Sequence, residues 1–229
     1  MLLTAAALRA LEYIENGMVV GLGSGRAAEA FLAALASRVG DGLQIQGVAT
    51  SRRTEDLARR SGLRLTSLQA VDYVHITVDG ADEVDPGLNL IKGYGGALLR
   101  EKIVAVNSRR VVIVIDASKL VPQLGTRGRL PIEVLPFGWR QVQRRVAELN
   151  CRATLRESAG GCFVTDNGNY ILDAAVGPIS DPSTLDEKLC AIPGVISTGL
   201  FLNVADVVFV QAEAEVQTLV VAAGGSIPP

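Results

Sequence analysis

Residues 18–38 read MVVGLGSGRAAEAFLAALASR, and this stretch decides the fold. Residues 18–22 are a short apolar strand, and GLGSG at 21–25 is a glycine turn. A helix follows over residues 27–38, with Phe31, Leu32 and Leu35 facing inward. Strand, glycine turn and helix form the opening unit of a Rossmann-like sheet. The turn is not a complete G-x-G-x-x-G, because Ala28 stands at the last position.

Upstream, residues 4–16 read as a helix that Thr4 can cap and Asn16-Gly17 ends. Downstream, strands at 44–49, 63–67, 73–78 and 110–115 alternate with helices at 51–61 and 95–107. Such βαβ alternation predicts an α/β protein with a parallel sheet flanked by helices. Glycines and prolines cluster over 125–136, which reads as a domain crossing. A helix at 137–150, strands at 151–155 and 161–165, and the hairpin turn Asp166-Asn167-Gly168 before 170–173 follow. A helix at 185–190 and a strand at 195–202 complete a small α+β unit, and 207–210 is one more buried strand. Residues 224–229 are the one low-complexity tract.

The composition narrows the function classes. The 229 residues are 48% hydrophobic but 4% aromatic, so the core is aliphatic. The net charge is -2, and Arg52-Arg53, Arg59-Arg60, Arg109-Arg110 and Arg144-Arg145 are scattered among acids, which argues against nucleic-acid binding. Cys151, Cys162 and Cys190 form no C-x-x-C pair, and His75 is the lone histidine, so a Cys/His metal site is not expected. Each cysteine reads as a small buried hydrophobe in a reducing compartment. There is no membrane-length apolar run and no signal-peptide pattern, so a cytoplasmic protein is expected.

Four loops carry candidate chemistry at the carboxyl edge of the sheet. In the first, backbone N–H groups of Ser24, Gly25, Arg26 and Ala27 stand at a helix start, where anions bind. Arg26 is unfavourable there unless an anion is near, which points to phosphate; a ligand-free tight turn is the alternative. The second, Asp79-Gly80-Ala81-Asp82-Glu83-Val84-Asp85, reads as a hard-metal site, as sugar recognition or as a solvated acidic turn. Asp79 and Asp82 directly follow a strand, which disfavours the solvated reading for them but not for Glu83 and Asp85. The third, 92–102, opens with Lys92-Gly93-Tyr94-Gly95-Gly96 and places Glu101 one to two turns into a helix. A carboxylate beside a fixed ammonium suits proton abstraction next to a carbonyl. The fourth brings Lys119, after Asp116, to the same edge. A cleft with both signs of charge suits a phosphorylated polyol.

The run VDGADEVDPGLNLIKGYGGALLREKIVA at 78–105 resembles the signature of type A ribose-5-phosphate isomerases. VVGLGSG at 19–25, IDASKLVPQLG at 115–125, LPIEVLPFGW at 130–139, VTDNGNYILD at 164–173 and IPGVISTGLF at 192–201 resemble it too, in order along the chain. The resemblance implies a Rossmann-like domain, residues 1–124 plus 203–229, with a smaller α+β domain, 125–202, inserted before its last strand. It implies aldose–ketose isomerisation of ribose 5-phosphate and ribulose 5-phosphate, in the non-oxidative branch of the pentose phosphate pathway. It also implies no metal or cofactor and a homodimer or homotetramer. Glu101 falls on the family's general base. Lys92, Asp79 and Asp82 fall on the groups that stabilise the enediolate and assist ring opening. The GLGSG turn, Gly80, Ala81, Gly93, Tyr94, Gly95 and Lys119 fall on the substrate site.

Three departures stand out. Arg26 and Ala27 replace two hydroxyl residues of the family's phosphate turn, and no lysine stands near Leu3, where many members carry one. Arg26 is expected to take over that phosphate grip. Tyr94 replaces a glycine, and is expected in an ordinary backbone conformation with its ring over the cleft mouth. Two rivals share parts of the pattern. A coenzyme A transferase-like enzyme would use a catalytic glutamate beside a similar turn. A sugar-phosphate-sensing regulator would need a helix-turn-helix, for which the residues before the first strand leave no room.

Overall fold

The computed structural model describes residues 3–213 and 215–220. The chain begins with α1 (Thr4–Leu11), β1 (Val19–Leu22), α2 (Arg26–Gly40), β2 (Gln46–Ala49), α3 (Arg52–Arg60) and β3 (Ile76–Asp79). Two short strands, β4 (Glu83–Val84) and β5 (Leu90–Ile91), precede α4 (Leu98–Val106) and β6 (Val111–Asp116). Then come β7 (Arg129–Val134), α5 (Trp139–Glu148), β8 (Arg152–Leu155), β9 (Glu157–Ser158), β10 (Gly161–Cys162), β11 (Tyr170–Ala175) and α6 (Pro182–Cys190). The last strands are β12 (Val195–Thr198), β13 (Leu200–Phe201), β14 (Val207–Ala212) and β15 (Glu215–Val220).

The main sheet runs β15-β14-β6-β3-β1-β2. Its pairings are parallel except at the edge, where β15 lies antiparallel to β14. The strand β6 shows why the sequence there is almost all β-branched. Val112 and Val114 enter the core under α1 and α2, while Val111, Ile113 and Ile115 enter the core on the other face. A strand covered on both faces has no polar side to show. The chain runs from β1 to β2 on one side, then returns past β1 to β3. That reversal opens a crevice between the carboxyl ends of β1 and β3, where ligands of open α/β sheets bind.

A second sheet, β12-β7-β11-β8, is antiparallel. Leu130, Ile132 and Val134 of β7 pack with Val142 and Val146 of α5 and with Leu189 of α6. A small third sheet, β13-β5-β4, gives Ile91 and Leu200 to the core of the second sheet and Val84, Leu90 and Phe201 to a core of the main sheet.

The structure departs from the sequence reading in several places. The helix expected over 4–16 is regular only to Leu11, where it tightens into i→i+3 bonds from Tyr13 and Ile14. Residues 63–67 form no strand; Leu65 makes a single bridge to Gly47. The crossing expected at 125–136 contains β7, an interior strand of the second sheet. Pro131 is tolerated in it because it lies beyond the end of β12: the β12 pairing stops at Ile132 and Thr198. The strand expected over 195–202 divides at Gly199, with β12 in the second sheet and β13 in the third. Residues 161–165 yield only the two-residue β10, paired with β9. Of the cysteines, Cys151 is buried, whereas Cys162 in that hairpin and Cys190 at the end of α6 are exposed. The tract at 224–229 lies outside the described residues.

Candidate active site

The site grows from β3. Alternate residues of this strand face opposite ways, so Ile76 and Val78 enter the core under α2 while Thr77 and Asp79 face α4. Asp79 ends the strand and is 2% exposed. The backbone N–H groups of Ser24 and Gly80 donate to its Oδ1 at 3.0 and 2.7 Å. Its side chain crosses directly over Gly23, where a Cβ would stand 2.2 Å from the carboxylate. Glycine at 23 therefore lets β1 and β3 share this carboxylate.

Lys92 is fixed from three sides. Its backbone N–H donates to Gly199 at 2.9 Å, which ties it to the link between β12 and β13. Its ammonium donates to the Gly80 carbonyl at 2.6 Å and lies 3.1 Å from Asp79 Oδ2. The third neighbour is Glu101 Oε2, at 3.2 Å. Glu101 stands in the first turn of α4, buried, and its Oε2 makes no well-directed hydrogen bond. The helix starts late because the preceding glycines do not follow it. Gly96 has φ +85°, and a Cβ there would meet the Phe163 ring at 2.3 Å. That turn sets Glu101 against Lys92.

Burial and charge act against each other here. Burial pushes the Glu101 carboxyl up, the Asp79 carboxylate adds to this, and the Lys92 ammonium pulls it back, leaving it at about 8. Burial alone would lower the Lys92 ammonium, but Asp79, then Glu101 and Asp82, hold it above its ordinary value. The result is a fixed cation beside a carboxylate that titrates close to neutrality. That is the state a general base needs.

A cleft of about 430 Å³ opens beside this pair. Ser24, Gly25, Arg26 and Ala27 line it from the β1 turn, and Gly80, Ala81 and Asp82 from the β3 turn. Lys92, Gly93, Gly95 and Glu101 line it from the glycine loop and α4, and Lys119 from the turn after β6. Asp79 is set back behind Lys92 and does not line the cleft, whereas Asp82 does. Asp82 Oδ2 accepts the Tyr94 N–H at 2.9 Å, which fixes the glycine loop against the β3 turn. Arg26 and Lys119 both lie near Asp116. Burial would raise this carboxyl, but hydrogen bonds from Ser118, then Lys119 and Arg26, hold it below the usual range.

The acidic run after β3 does not converge on a metal. Asp79 faces Lys92, and Glu83 turns away, buried, to accept the N–H groups of Gly125 and Arg127 at 2.7 and 3.0 Å. Asp85 accepts the Asn89 N–H at 2.9 Å. Glu83 is thus no solvated turn residue: it anchors the loop leading into β7. Among the described residues, no cluster of three His, Cys, Asp or Glu is arranged for a metal ion.

Tyr94 has the ordinary backbone conformation expected, since it is absent from the positive-φ residues. Its ring corrects the other expectation. It turns away from the cleft and packs on the core of the second sheet, its hydroxyl donating to the Arg129 carbonyl at 3.2 Å. The Arg129 guanidinium stacks 4.0 Å from the ring centroid, so the ring gains a cation as well as burial.

Other cleft residues were not among the expected site residues. Leu3, buried, lines the cleft and presents an apolar group there. Ser51 lines it from the start of α3, and its Oγ accepts the Thr54 N–H as the helix cap. The Ser24 hydroxyl lies 2.9 Å from the hydroxyls of Thr50 and Ser51. The run ATSRRT at 49–54 carries a readable signal, hydroxyls at a strand end before a helix. Phe163, Val164 and Asp166 reach the cleft from the connection between β10 and β11, and no local pattern announces that.

Known proteins share this sequence and fold. Residues 46–215 match the family model of ribose 5-phosphate isomerase A (phosphoriboisomerase A). Ribose-5-phosphate isomerase A of Thermomicrobium roseum is 52% identical over 216 residues, 93% of this chain and 91% of that one. That of Gloeobacter violaceus is 49% identical over 93% of this chain and 94% of its own. Among solved structures, a D-ribose-5-phosphate isomerase in complex with phospho-erythronic acid superposes with a TM-score of 0.92. It is 39% identical, over 96% of this chain and 97% of that one. Ribose 5-phosphate isomerase A from Methanocaldococcus jannaschii gives 0.91 at 37% identity, over 96% and 98%. With fold and sequence matching along nearly its whole length, this chain belongs to the ribose 5-phosphate isomerase A family.

Proposed function

We propose that Glu101 moves the proton as this chain interconverts D-ribose 5-phosphate and D-ribulose 5-phosphate through an enediolate. One observation carries the assignment: Glu101 and Asp79 flank a single buried ammonium, Lys92, at 3.2 and 3.1 Å beside the cleft. Membership of the family removes the transferase and sensor readings.

The roles follow from position. Asp82 faces the cleft and assists opening of the furanose. Glu101 then takes the proton from C2 of the open aldose. Lys92 stabilises the oxygen on which negative charge develops, and its fixed donors cost no reorganisation at that moment. The hydroxyl proton passes from O2 to O1 of the enediolate, and Glu101 returns the carbon-bound proton to C1, giving the ketose. Asp79 acts through Lys92: both its oxygens are engaged, and it holds the ammonium in place. The phosphate sits at the other end, on the N–H groups that start α2, between Arg26 and Lys119. Gly80, Ala81, Gly93 and Gly95 contribute backbone to the sugar's surroundings, whereas Tyr94 does not line the cleft and only holds the loop through Asp82.

The reading includes a homodimer or homotetramer, as the family resemblance implies, and a cytoplasmic location. It also divides the chain into a catalytic domain, residues 1–124 and 203–229, and a smaller one, 125–202. Formation of the whole second sheet from strands between Arg129 and Thr198 supports that division.

An aldose–ketose assay tests the function directly. With chelator present, ribose 5-phosphate is expected to turn over and unphosphorylated ribose to react far more slowly. Equal rates on both would remove the phosphate site from the mechanism. The Arg26 assignment has its own check. Arg26→Ala is expected to raise KM about tenfold or more, the scale of one charge-assisted hydrogen bond, with a smaller fall in kcat. An unchanged KM would remove Arg26 from the phosphate site.

A further inference from the structure

The run TDNGN at 165–169 enters the sequence reading only as a hairpin turn. In the structure it does more than reverse the chain. Phe163, Val164 and Asp166 line the cleft, and the turn touches both of its helical walls.

Its shape is set from beneath. Glu133, the penultimate residue of β7 and fully buried, accepts hydrogen bonds through Oε1 from Thr165 at 3.0 Å, Asn169 at 2.8 Å and Asn167 at 3.3 Å. The Thr165 N–H donates to the Asn169 carbonyl at 2.8 Å and closes the turn. Asp166 is held at its tip. Its Oδ2 accepts the N–H of Arg52, the first residue of α3, at 2.7 Å. On the opposite wall Arg100, the neighbour of Glu101 in α4, donates from Nη2 to the Asp166 carbonyl at 3.2 Å and from Nε to Asn167 at 2.8 Å.

We propose that Asp166 is a positioning residue, a latch that fixes the 163–169 turn of the second sheet against α3 and α4 and so sets the shape of the cleft around the sugar phosphate. The proposal rests on the isomerase reading. The contact that matters is the hydrogen bond to the start of α3. The alternative, the ion pair with Arg100, is 3.9 Å long between side chains about one-third exposed, a geometry that contributes little. The α3 start is also the part of the cleft that Ser51 joins to Ser24, so the latch bears on the wall next to the β1 turn. Binding is therefore what it governs, more than the chemistry at Glu101.

The distinction between acceptor and charge makes the test. Asp166→Ala is expected to raise KM for ribose 5-phosphate about five- to tenfold, the scale of one lost helix cap, with a smaller change in kcat. Asp166→Asn keeps an acceptor for the Arg52 N–H and is expected to restore most of the affinity. Hydrogen exchange should quicken in 163–169 and in the first turn of α3 for the alanine variant, and return toward wild type for the asparagine one. An alanine variant with unchanged KM and unchanged exchange would overturn the latch. So would an asparagine variant as impaired as alanine, or faster exchange spread over the whole chain with KM unchanged. Wild-type protein inactive on ribose 5-phosphate would instead overturn the isomerase reading, while the exchange arms still decide the latch.

Discussion

Glu101→Gln is expected to lower kcat about 10²–10⁴-fold, the contribution of a positioned general base, with little change in KM. Glutamine keeps the size and most of the packing of a side chain that is 6% exposed. It loses the one property the reaction needs, a carboxylate that accepts and returns a proton. Wild-type enzyme should show the same group in its pH profile. The base must be ionised to act, and the Glu101 carboxyl is pushed up to about 8. The rate kcat/KM is therefore expected to rise with pH through that region and level off above it. The glutamine variant should lose this limb. Near-normal turnover in Glu101→Gln, or a limb that survives the substitution, would refute the base assignment.

Lys92→Met is expected to be nearly as severe, for a different reason. Methionine fills similar space without charge, so the ammonium disappears and the neighbouring backbone stays. Loss of one electrostatic stabiliser of a developing oxyanion costs about 10²–10³-fold in kcat. The pH limb should also move. Lys92 is the cation that pulls the Glu101 carboxyl down, so its loss sends the carboxyl higher, and the rising limb shifts to higher pH. A stability loss of about 3–5 kcal/mol is expected as well, the cost of removing one partner from a buried ion pair. Asp79 and Glu101 are then left as two buried acids without a cation. Thermal unfolding and pH-rate profiles of one purified variant check both parts. A limb that stays in place would mean the ammonium does not act on Glu101.

The local elements were legible where one physical rule operated alone. The β1 turn and α2 declare themselves in MVVGLGSGRAAEAF, because strand, glycine turn and amphipathic helix each leave a short-range pattern. The β-branched run of β6 announces a strand buried on both faces. Rules in conflict produced the misses. Pro131 and the glycines around it speak for a loop, yet the pairing that closes the second sheet overrides them. Residues 63–67 have strand-like composition but find only Gly47 as a partner. Strands as short as β4 and β5 exist only because β5 pairs with β4 on one side and with β13 on the other.

The site divides along the same line. By itself the sequence determined the residue types and the sheet edge at which they gather: Ser24 to Ala27, Asp79, Asp82, Lys92, Glu101 and Lys119 all follow strands or open a helix. A strand's end and a helix's start are local facts, and local patterns report them. The tertiary structure alone decided which groups touch. Asp79 stands behind Lys92 while Asp82 faces the cleft, the Tyr94 ring turns toward Arg129, and Asp166 arrives on the turn before β11. Those contacts join residues distant along the chain, and their energies depend on burial and direction, which exist only once both sheets have closed around the cleft.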